Sequence, residues 1–155
     1  MAAINFRVNG RAVTVDGDAD SPLLYALSDN LRLNGPKLGC GLAQCGSCTV
    51  LLDGQPIRSC TTGLGEAAGH EITTIDGLGT IERLHPVQKA FIDEQALQCG
   101  FCLSGPMLYG KTFIDKNPNA TEAEIVRALD GLLCRCHAHT RMVKALQRYA
   151  QEVKK

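Results

Sequence analysis

The sequence lacks several features that mark common classes of protein. It has no tryptophan, and aromatic residues make up only 5% of its 155 residues, so its core must consist mainly of aliphatic side chains. Lys+Arg and Asp+Glu balance at 16 each, whereas a nucleic-acid-binding protein needs a basic surplus. No apolar run approaches the roughly 20 residues of a membrane span. The composition predicts a globular protein that binds no nucleic acid and does not span a membrane.

The first residues also lack the elements of an export signal. The segment MAAINFRVNG has no basic patch followed by an apolar stretch. By its own sequence the chain is therefore expected to be cytoplasmic. A folded complex could still reach the periplasm if a partner carried a twin-arginine signal.

Cysteine, by contrast, is abundant, with eight in the chain. In a chain without a secretion signal, clustered cysteines more often bind metal than form disulfides. The eight fall into two sets of four, one in each half of the sequence. The first set is Cys40, Cys45, Cys48 and Cys60, and the second set is Cys99, Cys102, Cys134 and Cys136.

The first set has the pattern C-x₄-C-x₂-C-x₁₁-C. Its first three cysteines have the spacing of a plant-type [2Fe–2S] ferredoxin loop, in which the fourth comes from a later segment. Gly39, Gly41 and Gly46 allow the backbone to bend closely around a cluster and to point N–H groups at the sulfurs. Zinc sites favour two C-x₂-C pairs, and this stretch has only one. The first set therefore predicts a [2Fe–2S] cluster rather than zinc or disulfides.

The second set combines C-x₂-C with C-x-C, and both pairs lie at ends of predicted helices. The N-terminus of a helix stabilises thiolate, because its free N–H groups and its dipole favour negative charge. Two such pairs facing each other could hold a second cluster inside a helical bundle. The same four cysteines could also form a Cys₄ zinc site, so spacing alone leaves both alternatives open.

Strands and turns dominate the first half. Alternating apolar residues on either side of Asn9-Gly10 predict one hairpin, and short apolar runs around Asp53-Gly54 predict a second. Between the two hairpins, a helix is predicted to start with Ser21 as N-cap and Pro22 as the first helical residue. A further strand is expected over 71–75. Two hairpins, one crossing helix and one more strand fit a β-grasp arrangement.

Helical periodicity replaces this pattern beyond Gly77. Helices are predicted over 86–96 and 104–114, a third after the capping box of Thr121 and Glu124, and a fourth after Thr140. Four short helices suggest a bundle. The predicted fold class is α+β, with domains at 1–77 and 78–155.

Five motifs together resemble the small iron–sulfur subunit of the molybdenum hydroxylases, the xanthine oxidase/aldehyde oxidoreductase group. The motifs are LNGPKLGCGLAQCGSCTV (33–50), RSC (58–60), HPVQKAFI (85–92), QCGFCLSG (98–105) and LCRC (133–136). They cover nearly the whole chain, in the order and at the spacing of that family. The sequences of these motifs are most similar to those of the small subunits of bacterial aldehyde, nicotinate and isoquinoline dehydrogenases.

The resemblance implies a plant-ferredoxin-like β-grasp domain with one [2Fe–2S] cluster near the surface, followed by a four-helix bundle that buries the other. The deeper cluster should lie beside the pterin of a molybdenum cofactor in a separate large subunit. Gln98 matches the residue that hydrogen-bonds the pterin, and Cys136 matches the ligand that also contacts it. Electrons from an aldehyde or N-heterocycle would pass through both clusters to a c-type cytochrome or a flavin subunit. The chain itself would contain no catalytic residue.

One departure from the family follows LCRC, where a small residue is common and this chain has His137 and His139. We interpret these histidines as preceding the last helix; the alternative is that His137 donates a hydrogen bond near the deeper cluster. Two other functions are weighed against that of a subunit, namely a free two-cluster electron carrier and a zinc-structured interaction module. A subunit should show an apolar docking face around 98–107.

Overall fold

The computed structural model describes residues 2–155. Its first half is built on one five-stranded sheet with the order β2-β1-β5-β3-β4. The strands are β1 (Ala2–Val8), β2 (Arg11–Gly17), β3 (Thr49–Leu52), β4 (Gln55–Arg58) and β5 (Glu71–Thr73). Both predicted hairpins are confirmed, because β1 pairs with β2 and β3 with β4 in antiparallel register. The last strand, β5, lies between them, parallel to β1 and antiparallel to β3.

The two hairpin turns have the backbone that their sequences predict. Asn9 and Gly10 have φ of 52° and 79°, and Asp53 and Gly54 have φ of 47° and 80°. Positive φ at both central residues gives a turn whose twist matches that of the strands. These turns set the registers and direct the apolar residues of β1 into the core.

A short helix, α1 (Leu23–Tyr25), continues as a π-helical turn over Ala26–Asn30. The predicted cap is wrong, because Pro22 rather than Ser21 occupies the N-cap position and no side chain caps the helix. Pro22 is held extended in a β-bridge with Gly63, so the helix starts one residue later than predicted. Leu23 and Leu27 pack on the sheet in a core that is aliphatic except for Phe6, whereas Leu24 packs against Cys48 and Cys60.

Four helices make up the second half. They are α2 (Pro86–Asp93), α3 (Ser104–Lys116), α4 (Glu122–Ala128) and α5 (His139–Val153). The predicted capping box of Thr121 and Glu124 is confirmed at the start of α4. The predicted cap by Thr140 is wrong, because α5 begins at His139, after Ala138, without a side-chain cap.

The helices share a second core, in which α5 contributes a continuous buried stripe. Met142, Leu146 and Tyr149 of α5 are almost fully buried, as are Phe91 of α2 and Ile125 of α4. The α+β class is therefore confirmed. Among residues 2–155, no helix is both long and apolar enough to cross a membrane.

The two halves meet directly around the cysteine-containing segments. The Ser104 hydroxyl at the start of α3 donates a buried hydrogen bond of 2.7 Å to the Gly35 carbonyl. Gly105 lies so close to Gly46 that a Cβ added to Gly105 would be 2.8 Å from the Gly46 carbonyl oxygen. Small residues thus let the backbones of the two halves approach each other beside the first cysteine set.

Candidate metal centres

The first cysteine set lies on a loop that precedes β3 and is completed by Cys60 after β4. Three backbone N–H groups point at the Cys40 sulfur, from Leu42 and Gln44 at 3.3 Å and from Cys45 at 3.4 Å. The Cys40 N–H in turn donates to the Cys45 sulfur at 3.4 Å. The loop therefore presents the ring of N–H donors that a negatively charged sulfur ligand requires.

The glycines of this loop have the role that the sequence predicted. Gly41 and Gly46 have φ of 68° and 85°, in the left-handed region that favours glycine. A Cβ on Gly39 would lie 2.7 Å from the Cys45 sulfur. A side chain at Gly39 would therefore occupy the space beside the sulfurs.

The thiols of the first set differ in their protonation. The N–H groups of Leu42 and Cys45 lower the pKa of the Cys40 thiol to about 6. Burial raises the pKa of the Cys48 thiol to about 11, and the neighbouring Cys60 thiol adds to that shift. As thiolates, these two buried groups would need a positive charge to offset them, which iron bound between them would supply.

The second set lies on two turns, one before α3 and one before α5. Its four cysteines line one tightly closed pocket, together with Gln98 and Met142. The Phe101 N–H and the Cys136 side chain lower the pKa of the exposed Cys99 thiol. Burial, followed by the adjacent Cys134 thiol, raises the pKa of Cys102 to about 12.

This position differs from the expected one inside the bundle. Cys99 is exposed, and Cys134 and Cys136 are only partly buried. Both pairs precede their helices rather than lie within them, so the two turns meet at one end of the helical half. Of the four cysteines in the second set, only Cys102 is buried by the chain itself.

In each set the thiols interact as two pairs. Cys40 contacts Cys45, and Cys48 contacts Cys60. In the second set the pairs are Cys99 with Cys136 and Cys102 with Cys134. Within residues 2–155, no group of three or more His, Cys, Asp or Glu side chains is placed to hold one ion. Two pairs of thiols fit a [2Fe–2S] cluster, in which each iron takes two protein ligands.

Gln98 and Cys136, the residues expected to contact a pterin, lie next to each other. The Gln98 amide donates to the Cys136 carbonyl at 3.1 Å. His137 is exposed with φ of 57°, and the His139 ring lies 2.8 Å from the Leu132 carbonyl oxygen. The interpretation that both precede the last helix holds for the exposed His137 and is wrong for His139, which is the first residue of α5 and is half-buried against the Leu132 carbonyl.

Two contacts near the sites were not predicted from the sequence. The N–H of Leu133, next to Cys134, donates to the Cys45 carbonyl at 2.9 Å and so joins the backbones that carry the two sets. Arg58 lies against the first loop, where its Nε donates to the Ala43 carbonyl at 3.3 Å. The RSC motif contains Arg58, but neither contact has a local sequence signal because each joins distant segments.

Comparisons with known proteins show to which family the chain belongs. A model of a 2Fe-2S iron–sulfur cluster binding domain matches residues 6–73, and a model of a [2Fe-2S] binding domain matches residues 74–147. One of the subunits of nicotinate dehydrogenase from Pseudomonas putida is 47% identical over 155 residues, covering 100% of this chain and 99% of the relative. The chain belongs to the small [2Fe–2S] subunits of the molybdenum hydroxylases. The small subunit thus has two iron–sulfur clusters and transfers electrons within an oxidoreductase, without catalysing its reaction.

Other relatives agree with this membership. The alpha chain of isoquinoline 1-oxidoreductase from Brevundimonas diminuta is 43% identical over 150 residues, covering 96% of this chain and 98% of the relative. The crystal structure of quinoline 2-oxidoreductase from Pseudomonas putida 86 contains a chain that superposes with a TM-score of 0.93 at 34% identity. That match covers 99% of this chain and 96% of the other.

Proposed function

We propose that the small subunit receives electrons from a molybdopterin cofactor in a large partner protein and passes them singly to a further acceptor. The observation that carries this proposal is the placement of two cysteine sets side by side, each with one exposed cysteine, Cys40 and Cys99. When bound, each [2Fe–2S] cluster takes up and releases one electron. The residues of the chain hold the two sites, bring them close together and leave each open on one side, so that one can face the electron donor and the other the acceptor.

The first cluster is assigned to Cys40, Cys45, Cys48 and Cys60, and the second to Cys99, Cys102, Cys134 and Cys136. The N–H donors around Cys40 and the pairing of thiols in both sets support this assignment. Each set also lies in a segment matched by its own iron–sulfur domain model.

The domains are proposed as a β-grasp unit over 1–77 and a four-helix bundle over 78–155. The five-stranded sheet with its crossing helix supports the first unit, and the core shared by α2 to α5 supports the second. Met1 lies outside the described residues, so this support begins at Ala2.

Transfer between the clusters is proposed to use the contact between the halves. The Leu133 N–H donates a hydrogen bond to the Cys45 carbonyl. Since Leu133 is bonded to Cys134, this one hydrogen bond links the backbones of the second and first cysteine sets. The buried bond from Ser104 to Gly35 holds the start of α3, two residues after Cys102, against the segment that leads into the first cysteine loop. These contacts keep the two sites at a fixed separation, which one-electron transfer requires.

The large subunit is proposed to cover the second set. Leu97 and Phe101 lie two residues on either side of the exposed Cys99, and Leu133 precedes Cys134 of the same set; their exposed fractions are 37%, 45% and 60%. Clustered exposed apolar side chains are typical of protein interfaces. Gln98 lies in the same patch and is exposed, so that its side chain can reach a pterin. Met107, at the far end of the predicted docking face, is instead buried in the core.

The substrate of the complex is proposed to be an N-heterocycle rather than an aldehyde. The two relatives described above, at 47% and 43% identity, are named for nicotinate and isoquinoline, and the superposed structure described with them for quinoline. The acceptor is proposed to be a c-type cytochrome or a flavin subunit. The complex is proposed to be cytoplasmic, or periplasmic if a partner is exported.

Co-expression of the small subunit with the large subunit tests the proposal. Tagged small subunit should co-purify with a molybdopterin-containing chain, measured as molybdenum and pterin content. Phe101→Asp, which places a charge in the apolar patch, should abolish most of the co-purified molybdenum and pterin. Ile81→Asp is the matched control, because Ile81 is apolar and 92% exposed but lies outside the patch.

Two results would contradict the partner assignment. One is a wild-type chain that carries both clusters but never retains molybdenum, which would favour the free electron carrier. The other is an equal loss of molybdenum in the Phe101 and Ile81 variants, which would place the interface elsewhere.

A further inference from the structure

Arg58 lies at the end of β4, two residues before Cys60, and its side chain reaches back over the first cysteine loop. Its Nη1 donates to the Thr49 hydroxyl at 2.8 Å, and its Nε donates to the Ala43 carbonyl at 3.3 Å. Its guanidinium carbon lies 5.2 Å from the centre of the Tyr109 ring in α3. One side chain thus contacts the loop, the sheet and a helix of the other half.

The charge of Arg58 has no counter-ion among the described residues. The side chain is partly buried, and its hydrogen-bond partners are a neutral hydroxyl and a neutral carbonyl. Within residues 2–155, no carboxylate lies at ion-pair distance from it, whereas Arg7 pairs with Glu71 and Arg148 with Glu94. A partly buried cation without an anion is costly, so this arrangement indicates that an anion occupies the site.

The position of the guanidinium identifies that anion. A Cβ added to Gly46, which lies between Cys45 and Cys48, would be 3.6 Å from Nη2 of Arg58. The charged group therefore lies directly over the segment that carries the proposed ligands. A [2Fe–2S] cluster with four thiolates is an anion, and reduction makes it more negative by one charge.

We propose that Arg58 is a positioning residue that serves as the counter-ion of the first cluster and favours its reduced state. This inference rests on the proposed ligand assignment of Cys40, Cys45, Cys48 and Cys60. Reduction adds one electron and takes up no proton, so the added charge is balanced by the fixed guanidinium. Thr49 and Tyr109 hold the guanidinium in place, and its partial burial limits screening by salt. Arg58 therefore favours movement of electrons from the second site to the first.

A redox titration of the full chain carrying both clusters, followed by EPR, tests this role. Arg58→Gln keeps hydrogen-bonding capacity but removes the charge. We expect about a tenfold loss in the equilibrium constant for reduction of the first cluster, which is ~59 mV for one electron. Arg58→Lys keeps the charge and should shift the midpoint less. Arg7→Gln, an exposed arginine of the same half, is the control and should shift neither midpoint.

The outcomes separate this inference from the proposed function. A wild-type chain without two EPR signals would contradict the cluster assignment itself. With both signals present, the role of Arg58 is overturned if Arg58→Gln moves neither midpoint, moves both equally, or matches Arg58→Lys. If Arg58→Gln does not retain its iron, Thr49→Val replaces it. That variant loosens the guanidinium, so it must shift the first midpoint negative, and an unchanged midpoint overturns the proposal.

Discussion

The two cysteine sets use different ways of holding a cluster. In the first, a single glycine-rich loop supplies three ligands and the N–H groups that surround Cys40, and the chain itself buries Cys48 and Cys60. The second joins two turns from distant parts of the sequence, and the chain buries only Cys102 of its four cysteines. Each set keeps one exposed cysteine, so the difference lies in construction: the first site is formed largely by one continuous segment, whereas the second depends on the packing of two segments that the large subunit is proposed to cover.

Removal of one ligand from each set should give the largest effect and test whether the sets are independent. We expect Cys99→Ser to abolish the EPR signal of the second cluster and the electron transfer that depends on it. Cys48→Ser should abolish only the other signal. Iron analysis should show half of the wild-type iron in each variant. Retention of both signals in either variant would refute the ligand assignment.

Thiol reactivity in the cluster-free chain should reveal the same contrast within each set. Because the pKa of Cys40 is lowered to about 6, it is mostly thiolate at neutral pH, and its alkylation should slow only as the pH falls through about 6. Cys102, whose pKa is raised to about 12, stays protonated at neutral pH and should react far more slowly.

Alkylation with iodoacetamide across pH 5 to 9, with peptide mass spectrometry, measures these rates. Cys40 and Cys99 should be labelled first in the folded chain. In urea the order should disappear, since all thiols then approach their ordinary pKa. Equal rates for Cys40 and Cys102 in the folded chain would contradict the described environments.

The close contact between the halves should be sensitive to one added methyl group. Gly46→Ala places a Cβ 2.5 Å from a methyl of Leu132 at a residue with φ of 85°. Overpacking and the left-handed backbone together should cost about 2–4 kcal/mol. Gly54→Ala is the matched control, because Gly54 has φ of 80° but nothing within 4 Å of an added Cβ.

Urea unfolding of the two variants separates the cost of overpacking from the cost of the left-handed backbone. Gly54→Ala should lose only the backbone contribution of about 1–2 kcal/mol. Equal destabilisation of both variants would mean that the added methyl group at Gly46 causes no overpacking against Leu132, and would contradict the tight contact between the halves.

The smallest effect is expected from the cap of α4. Thr121→Ala removes the hydroxyl that accepts from the Glu124 N–H and should cost about 1 kcal/mol. Thr140→Ala, at an exposed position of α5 where the hydroxyl makes no hydrogen bond within residues 2–155, should change stability by less than about 0.5 kcal/mol. Thermal loss of each EPR signal provides the readout. Thr121→Ala should lower the temperature at which the second signal disappears and leave the first unchanged, and a shift of both would contradict local coupling.

Local signals in the sequence predicted local structure well. The turn residues of both hairpins and the capping box of Thr121 correspond to the observed elements, because adjacent residues determine these features. The start of α1 was missed because Pro22 is held by Gly63, a residue far along the chain. The spacing and glycines of the first set predicted a cluster directly, whereas the second set needed the family resemblance.

The remaining features depend on contacts between distant segments. Exposure of Cys99 follows from where two turns meet, and the position of Arg58 follows from its contact with Tyr109 in the other half. Neither leaves a periodic or spaced pattern in the sequence. Such features could be found only once the two halves were seen packed together.

Iron, inorganic sulfide and zinc analysis of the purified chain, combined with EPR of the reduced protein, tests the central claim most directly. Two [2Fe–2S] clusters predict equal amounts of iron and sulfide, full occupancy of both cysteine sets and two distinguishable one-electron signals. Zinc bound by either set, or a single signal with half the iron, would contradict the account.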